Sequence, residues 1–79
     1  MFVLCKKDVV DSESINKVSY TAGKKYEANI IAKDDLLAKD NYGEFALIGI
    51  SPEERGRVGV MDGTSKWGNW FDEHFELIL

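Results

Sequence analysis

Tyr26, Ala28, Ile30 and Ala32 alternate along the chain with Glu27, Asn29, Ile31 and Lys33. A period of two is that of a half-buried β-strand, whose successive side chains point to opposite faces, and it does not fit the 3.6-residue repeat of a helix. Helical spacing is scarce elsewhere as well. Phe2 to Lys6 is a short apolar run that predicts a first strand, while Lys7 to Lys17 follows neither period and predicts a long loop. Thr21-Ala22-Gly23-Lys24 is a turn signal just ahead of the alternating strand.

Further along, Asp34 to Lys39 is expected to form one helical turn at most, because Asp40-Asn41-Tyr42-Gly43 breaks it and returns the chain. Phe45 to Ile50 is apolar on both faces, which predicts a central strand or one at a barrel closure. Ser51-Pro52-Glu53-Glu54-Arg55-Gly56 combines a capping serine, a proline, a glutamate and a terminating glycine, so a tight helical turn or a β-turn is expected. Arg57 to Met61 then reads as a strand, and Asp62-Gly63 as a hairpin turn leading to another. In the last segment Trp67, Trp70 and Phe71 precede an alternating end with Phe75, Leu77 and Leu79 on one face, after a brief turn at Phe71 to His74. Short strands, Gly-marked turns and a long first loop predict an all-β fold: a small, five-stranded antiparallel barrel with at most one or two short helical turns. The alternative is an open β-sheet with one helix at residues 33–40.

A chain of 79 residues has room for one core, so residues 1–79 are read as a single domain. Cys5 is the only cysteine, which excludes an intramolecular disulfide and leaves efficient packing or self-association to stabilise the fold. A monomer or small homo-oligomer in a reducing cytoplasm is expected. The N-terminal MFVLCKKD is expected to be neither a secretory signal nor a membrane span. Residues 1–40 hold seven basic and seven acidic groups, whereas residues 41–79 hold three and seven, so the whole net charge of −4 lies in the second half. That balance opposes tight binding to a phosphate backbone, where affinity comes largely from Lys and Arg.

Thr21-Ala22-Gly23-Lys24-Lys25-Tyr26-Glu27, together with the ending that runs from Val60-Met61-Asp62-Gly63 through Trp70-Phe71 to His74-Phe75-Glu76-Leu77, resembles small bacteriophage and prophage proteins with an SH3-like barrel. In those proteins a short strand carrying a cysteine, here Cys5, is followed by a loop, a G-K-x-Y-E strand start, a D-G hairpin and a terminal F-E-hydrophobic strand. The chain departs from that pattern over Leu36 to Arg57, which is longer and carries the Ser51 to Gly56 turn. The resemblance implies an SH3-like barrel and a phage-type protein that binds and redirects or inhibits a host protein in the host cytoplasm. It does not by itself fix a function.

Catalytic chemistry finds few footholds. His74 is the only histidine, so no His pair can be built. Cys5 in an apolar strand reads as a small buried hydrophobe, because a nucleophilic thiolate needs a cationic or helix-terminus environment. The serines have no elbow motif or partnered base. Asp34, Asp35, Asp40 and Glu44 fail the EF-hand spacing and read as a solvated acidic loop, so no metal is expected. The glycines form no phosphate loop, so no cofactor is expected either. No enzymatic activity is therefore predicted.

The aromatics carry the functional expectation. Tyr42, Trp67, Trp70 and Phe71 lie in or beside turns, and exposed rings of this kind supply large, stiff contact surfaces at interfaces. Glu44, Arg55, Asp72 and Glu73 stand around them as a charged rim. The predicted site is a protein-docking face with Trp67 and Trp70 as anchors and Asp72, Glu73 and Glu44 for orientation. Two other readings stand beside it. In one, the same aromatics stack on nucleic-acid bases while Lys6, Lys7, Lys17, Lys24 and Lys25 track phosphates. In the other, a structural protein self-assembles through an edge strand at Phe2 to Lys6.

Overall fold

The strand at the alternating segment organises the chain by pairing with two different neighbours. The computed structural model describes residues 1–10, 17–51 and 65–78. Among them lie β1 (Phe2–Cys5), β2 (Val9–Val10), β3 (Val18–Tyr20), β4 (Lys25–Ile31), β5 (Asp35–Lys39), β6 (Phe45–Gly49), a single helix α1 (Asn69–His74) and β7 (Phe75–Ile78). Every pairing is antiparallel, in a five-stranded order β6-β5-β4-β1-β7 with β2-β3 as a separate pair. The fold is thus mainly β, as the alternation predicts.

Residues Lys25, Tyr26 and Glu27 of β4 pair with β1, whereas Ala28 to Ile31 pair with β5. One strand therefore serves two neighbours in succession. A register shift at Leu36/Leu37 adds a bulge on β6, the kind of irregularity that bends and twists a sheet. The inner face gathers Val3, Cys5, Tyr26, Ala28, Leu36, Ala38, Ile48 and Phe75 into one core with Tyr20, Trp67 and Phe71. Ala28 sits directly opposite Ala38, and both are fully buried. Small side chains there leave room for Tyr20, which arrives from β3.

Tyr20 meets Tyr26 edge-on at 5.0 Å and Phe75 at 5.1 Å, the geometry ring quadrupoles favour. Its buried hydroxyl donates to the Ala38 carbonyl at 2.6 Å. Tyr26 in turn donates to Asn41 Oδ1 at 2.7 Å and accepts from the Thr21 N–H at 2.7 Å. Asn41 Nδ2 donates to the Val18 carbonyl and to Thr21 Oγ1, and the Asn41 N–H donates to the Ser19 carbonyl. The loop between β1 and β4 is thereby fastened to the turn between β5 and β6. Asp40 shapes that turn, its Oδ1 accepting from the Tyr42 and Glu44 N–H groups, while Gly43 takes a φ of 85° that glycine adopts without strain.

Several expectations change. Asp34 to Lys39 is not a helical turn: a 3-10 turn occupies Ala32–Asp34, with Lys33 and Asp34 both at positive φ, and reverses the chain so that Asp35–Lys39 runs back along β4. Leu36 and Ala38 point inward there, so a period of two is present in a segment too short to announce it. Ile30, expected on the buried face with Tyr26 and Ala28, is exposed where β4 leaves the core. The predicted loop Lys7 to Lys17 includes β2, which pairs with β3. Phe2 to Lys6 does not supply an edge, because β1 lies between β4 and β7, with Val3 and Cys5 buried. β6, expected to be central or at a barrel closure, pairs with β5 alone among the described residues. Among the described residues α1 is the only α-helix, so the helix expected at residues 33–40 in the alternative is absent, although the strands close into no barrel and the sheet is open as that alternative had it. α1 replaces the brief turn expected at Phe71 to His74. The Ser51 to Gly56 turn beyond Ser51, the strand at Arg57 to Met61, the Asp62-Gly63 hairpin and Leu79 lie outside the described residues. No helix among the described residues is long and apolar enough to cross a membrane.

Two changes test this framework. Tyr20→Phe removes the donor to the buried Ala38 carbonyl and is expected to cost about 1–2 kcal/mol in urea unfolding at neutral pH. Burial, foremost, holds the Tyr20 phenol well above its ordinary pKa. The folded state thus favours the protonated form, so this part of the stability is whole below about pH 10 and falls as pH rises beyond the unfolded value. The stability gap between wild type and Tyr20→Phe should therefore narrow above about pH 10. Lys33, exposed at φ 61° and ψ 23°, carries the cost of left-handed backbone. Lys33→Gly should raise the unfolding midpoint, by about 0.5–1 kcal/mol of stability.

Candidate functional site

An apolar groove of about 220 Å³ opens between the end of β6 and α1, lined by Leu47, Ile48, Ile50, Trp67, Trp70 and Phe71. Its position follows from one glycine. A Cβ on Gly49 would lie 3.0 Å from Trp67 Cβ, 3.1 Å from Leu36 Cβ and 3.2 Å from Trp67 Cε3. Only a bare backbone lets the Trp67 indole lie against β6. Gly68 follows at φ 99° and turns the chain into α1. The Ser65 N–H donates to Asp72 Oδ2 at 3.0 Å and the Trp67 N–H to Ser65 Oγ at 3.2 Å, which fastens the approach to the helix.

From that start α1 divides its aromatics. Phe71 turns inward, stacked on Phe75 at 5.9 Å and tilted toward Trp67 at 6.3 Å. Trp70 turns outward and remains 47% exposed, whereas Trp67 is only 4% exposed. Trp67 is thus a buried wall, and of the two expected anchors Trp70 alone offers a ring to solvent. His74, four residues on, stacks on Trp70 at 4.3 Å with planes 23° apart, and its Nδ1 lies 2.8 Å from the Trp70 carbonyl oxygen. On the other side, Leu47 is 52% exposed and shares the outer face of β6 with exposed Phe45. Leu47, Phe45 and Trp70 extend the apolar lining beyond the groove itself.

The remaining predicted site residues lie elsewhere or serve other ends. Tyr42 is exposed in the turn before β6, with the Lys17 ammonium 4.5 Å from its ring centroid, and does not line the groove. Glu44 closes the same turn. Asp72 receives the Ser65 N–H. Glu73 binds Lys7 Nζ at 3.0 Å, and that bond holds its carboxyl below the ordinary value. This contribution is present above the ordinary carboxylate range and is lost as pH falls through the lowered value; both partners are solvated, so it is small. Arg55 lies outside the described residues. Asp72 and Glu73 are thus engaged with Ser65 and Lys7, and Lys66 lies 4.7 Å from the Trp67 ring centroid. Of the five lysines read as a phosphate track, Lys7 and Lys17 are engaged within the protein.

Sequence reasoning did not mark Leu47, Ile48 and Ile50 as groove residues; Ile48 belongs to the core and lines the groove as well. The signal was nevertheless present, since a strand apolar on both faces leaves apolar side chains in solvent wherever a sheet is covered on one face only. The groove is smaller than the roughly 300–1,000 Å³ of a typical small-molecule site, and all its lining side chains are apolar or indole. Among the described residues no group of three or more His, Cys, Asp and Glu side chains could hold a metal ion. Asp35 accepts the Ser51 N–H, and Asp40 shapes its turn. Cys5 is buried, its S–H donates to the Lys7 carbonyl at 3.1 Å, and burial pushes its pKa up, away from the reactive thiolate. Comparison with protein-family models, with curated proteins and with solved structures finds no match.

Gly49→Ala tests the geometry. It should displace the Trp67 indole, shift the tryptophan emission, and cost about 1–3 kcal/mol in urea unfolding through overpacking.

Proposed function

We propose that this chain is a small SH3-like binding module that docks on a protein partner through the groove between β6 and α1, with no catalytic step. The observation that carries this reading is the half-exposed pair Trp70 and Leu47, standing on either side of an apolar groove whose floor is fixed by buried Trp67 and Phe71. A large ring beside a preformed pocket is the usual anatomy of a binding hot spot, where a few residues carry most of the energy. A groove of this volume suits one apolar side chain of a macromolecule better than a cofactor. The barrel part of the reading is supported by the double pairing of β4 and the bulge on β6, both of which curl a small sheet toward closure. The resemblance to phage proteins points to a host protein as the partner and to occlusion of its surface as the mechanism.

The test begins with the protein captured by the intact chain and measures Kd for the purified pair. Trp70→Ala and Leu47→Asp are each expected to weaken binding about thirtyfold or more, the equivalent of about 2 kcal/mol. Tyr42→Ala, away from the groove, should leave Kd within about twofold, since exposed positions outside a hot spot contribute little. Equal binding by all variants, with unchanged circular dichroism, would overturn the assignment of this face. Steep salt-dependent binding of single-stranded or duplex DNA, with no protein captured, would turn the reading to nucleic acid.

A further inference from the structure

We infer that this protein pairs with a second copy of itself through the outer face of β4, β5 and β6, with Leu37 on the twofold axis. The inference stands apart from the docking reading, although the face includes Leu47 and so shares one residue with the groove.

Strand register defines this face, because directly paired residues of an antiparallel sheet put their side chains on the same side. Leu36 and Ala38 point into the core, so Asp35, Leu37 and Lys39 form the outward row of β5. Leu37 stands between Asn29 on β4 and Leu47 on β6, while Asp35 lies beside Ile31 and Lys39 beside Phe45. Ile31, Phe45 and Leu47 are exposed and Leu37 is half-buried. An apolar surface thus crosses three strands, with one acid and one base at the two ends of its middle row.

That order of charge identifies the occupant as a second copy. Two chains of net charge −4 repel, so their association is favoured across a face where unlike charges meet. Asp35 precedes Leu37 by two residues and Lys39 follows it by two, a span of about 6.6 Å in either direction. A twofold axis through Leu37 and perpendicular to the strands sets β5 antiparallel to its copy. Leu37 then meets Leu37, and each Asp35 meets Lys39 of the second copy, the reciprocal pattern of an isologous interface. Asp35 Oδ1 accepts the Ser51 N–H, which holds the carboxylate at the face, and a carboxylate has a second oxygen that accepts as well. Three strands about 4.8 Å apart make a face smaller than the roughly 800 Å² per partner of a standard interface. The dimer is therefore weak.

Sedimentation of the full chain from about 5 μM to 1 mM provides the test, with a monomer–dimer Kd expected on the order of 0.1 mM. Leu37→Glu and Leu37→Arg each bring like charges together on the axis and should raise Kd at least about tenfold. Mixed in equal amounts, the two variants should associate again, since unlike charges then face each other. Leu37 lies outside the buried core, and circular dichroism checks that both variants fold. Should either not fold, the same pair of substitutions at exposed Leu47, which also meets its own copy in this row, takes their place. The inference is overturned if the wild type stays a monomer throughout, if the dimer persists in both single variants, or if their mixture remains monomeric while the wild type pairs. Trp70→Ala should leave the dimer intact. A monomeric wild type alongside weakened partner binding by Trp70→Ala removes the dimer and leaves the docking reading standing, while a dimer that answers to Leu37 with unaltered partner binding by Trp70→Ala does the reverse.

Discussion

The phenol of Tyr20 is the contact on which the arrangement of the chain depends. A hydroxyl buried without a partner costs several kcal/mol, on the order of 1–3 from mutational data, so its placement demands an acceptor at one position. The Ala38 carbonyl supplies it, and the alanines at 28 and 38 leave the ring enough space to reach it. This demand joins parts of the chain that strand pairing leaves separate. β2 and β3 together are too short to persist as an isolated hairpin. Held by Tyr20 inside the core and by Asn41 at the surface, they become a lid over the inner face.

From that ring a line of aromatic contacts leads outward to the groove. Tyr20 meets Phe75, Phe75 stacks on Phe71, and Phe71 meets Trp67, which lies on the bare backbone of Gly49. Each ring fixes the next, because close-packed interiors give a side chain few alternative rotamers. The floor of the groove is therefore an extension of the core. The rim differs, since Trp70 and Leu47 touch the fold on one side and solvent on the other. A rigid floor with an adjustable rim costs little to order on binding, which is where much association energy is otherwise lost.

The sequence declared the strands whose alternation runs long enough to count. β4 is seven residues long, and Tyr26 and Ala28 fall on the buried face as its pattern requires. β1 and β7 were legible from an apolar run and an alternating end. β5 was hidden, because Leu36 and Leu37 adjoin each other and mask the period within five residues. α1 was hidden for a related reason: six residues complete fewer than two turns, too few for a helical stripe to show. The candidate site was half legible. The tryptophans stood out as aromatics near turns, but which of them would be buried depended on Gly49, nearly twenty positions away in sequence and in contact only after folding. Leu47 looked like core because composition does not reveal which face of a strand is left uncovered.

The outer face of β6 explains why the groove is apolar. Where β4 turns Lys25, Glu27 and Asn29 to solvent, β6 turns out Phe45 and Leu47. Such residues are costly to leave in water and are tolerated where covering them serves a purpose. Asp72 and Glu73 are engaged in the protein's own contacts, with the Ser65 N–H and Lys7. On the docking reading proposed above, selection among partners would fall to shape: an apolar side chain would enter beside Ile48 and Phe71 while its flanks covered Trp70 and Leu47. A polar side chain entering the same space would lose its water and find no acceptor and only the indole N–H groups as donors among the lining side chains, a penalty that discriminates more sharply than the gain from a matching one.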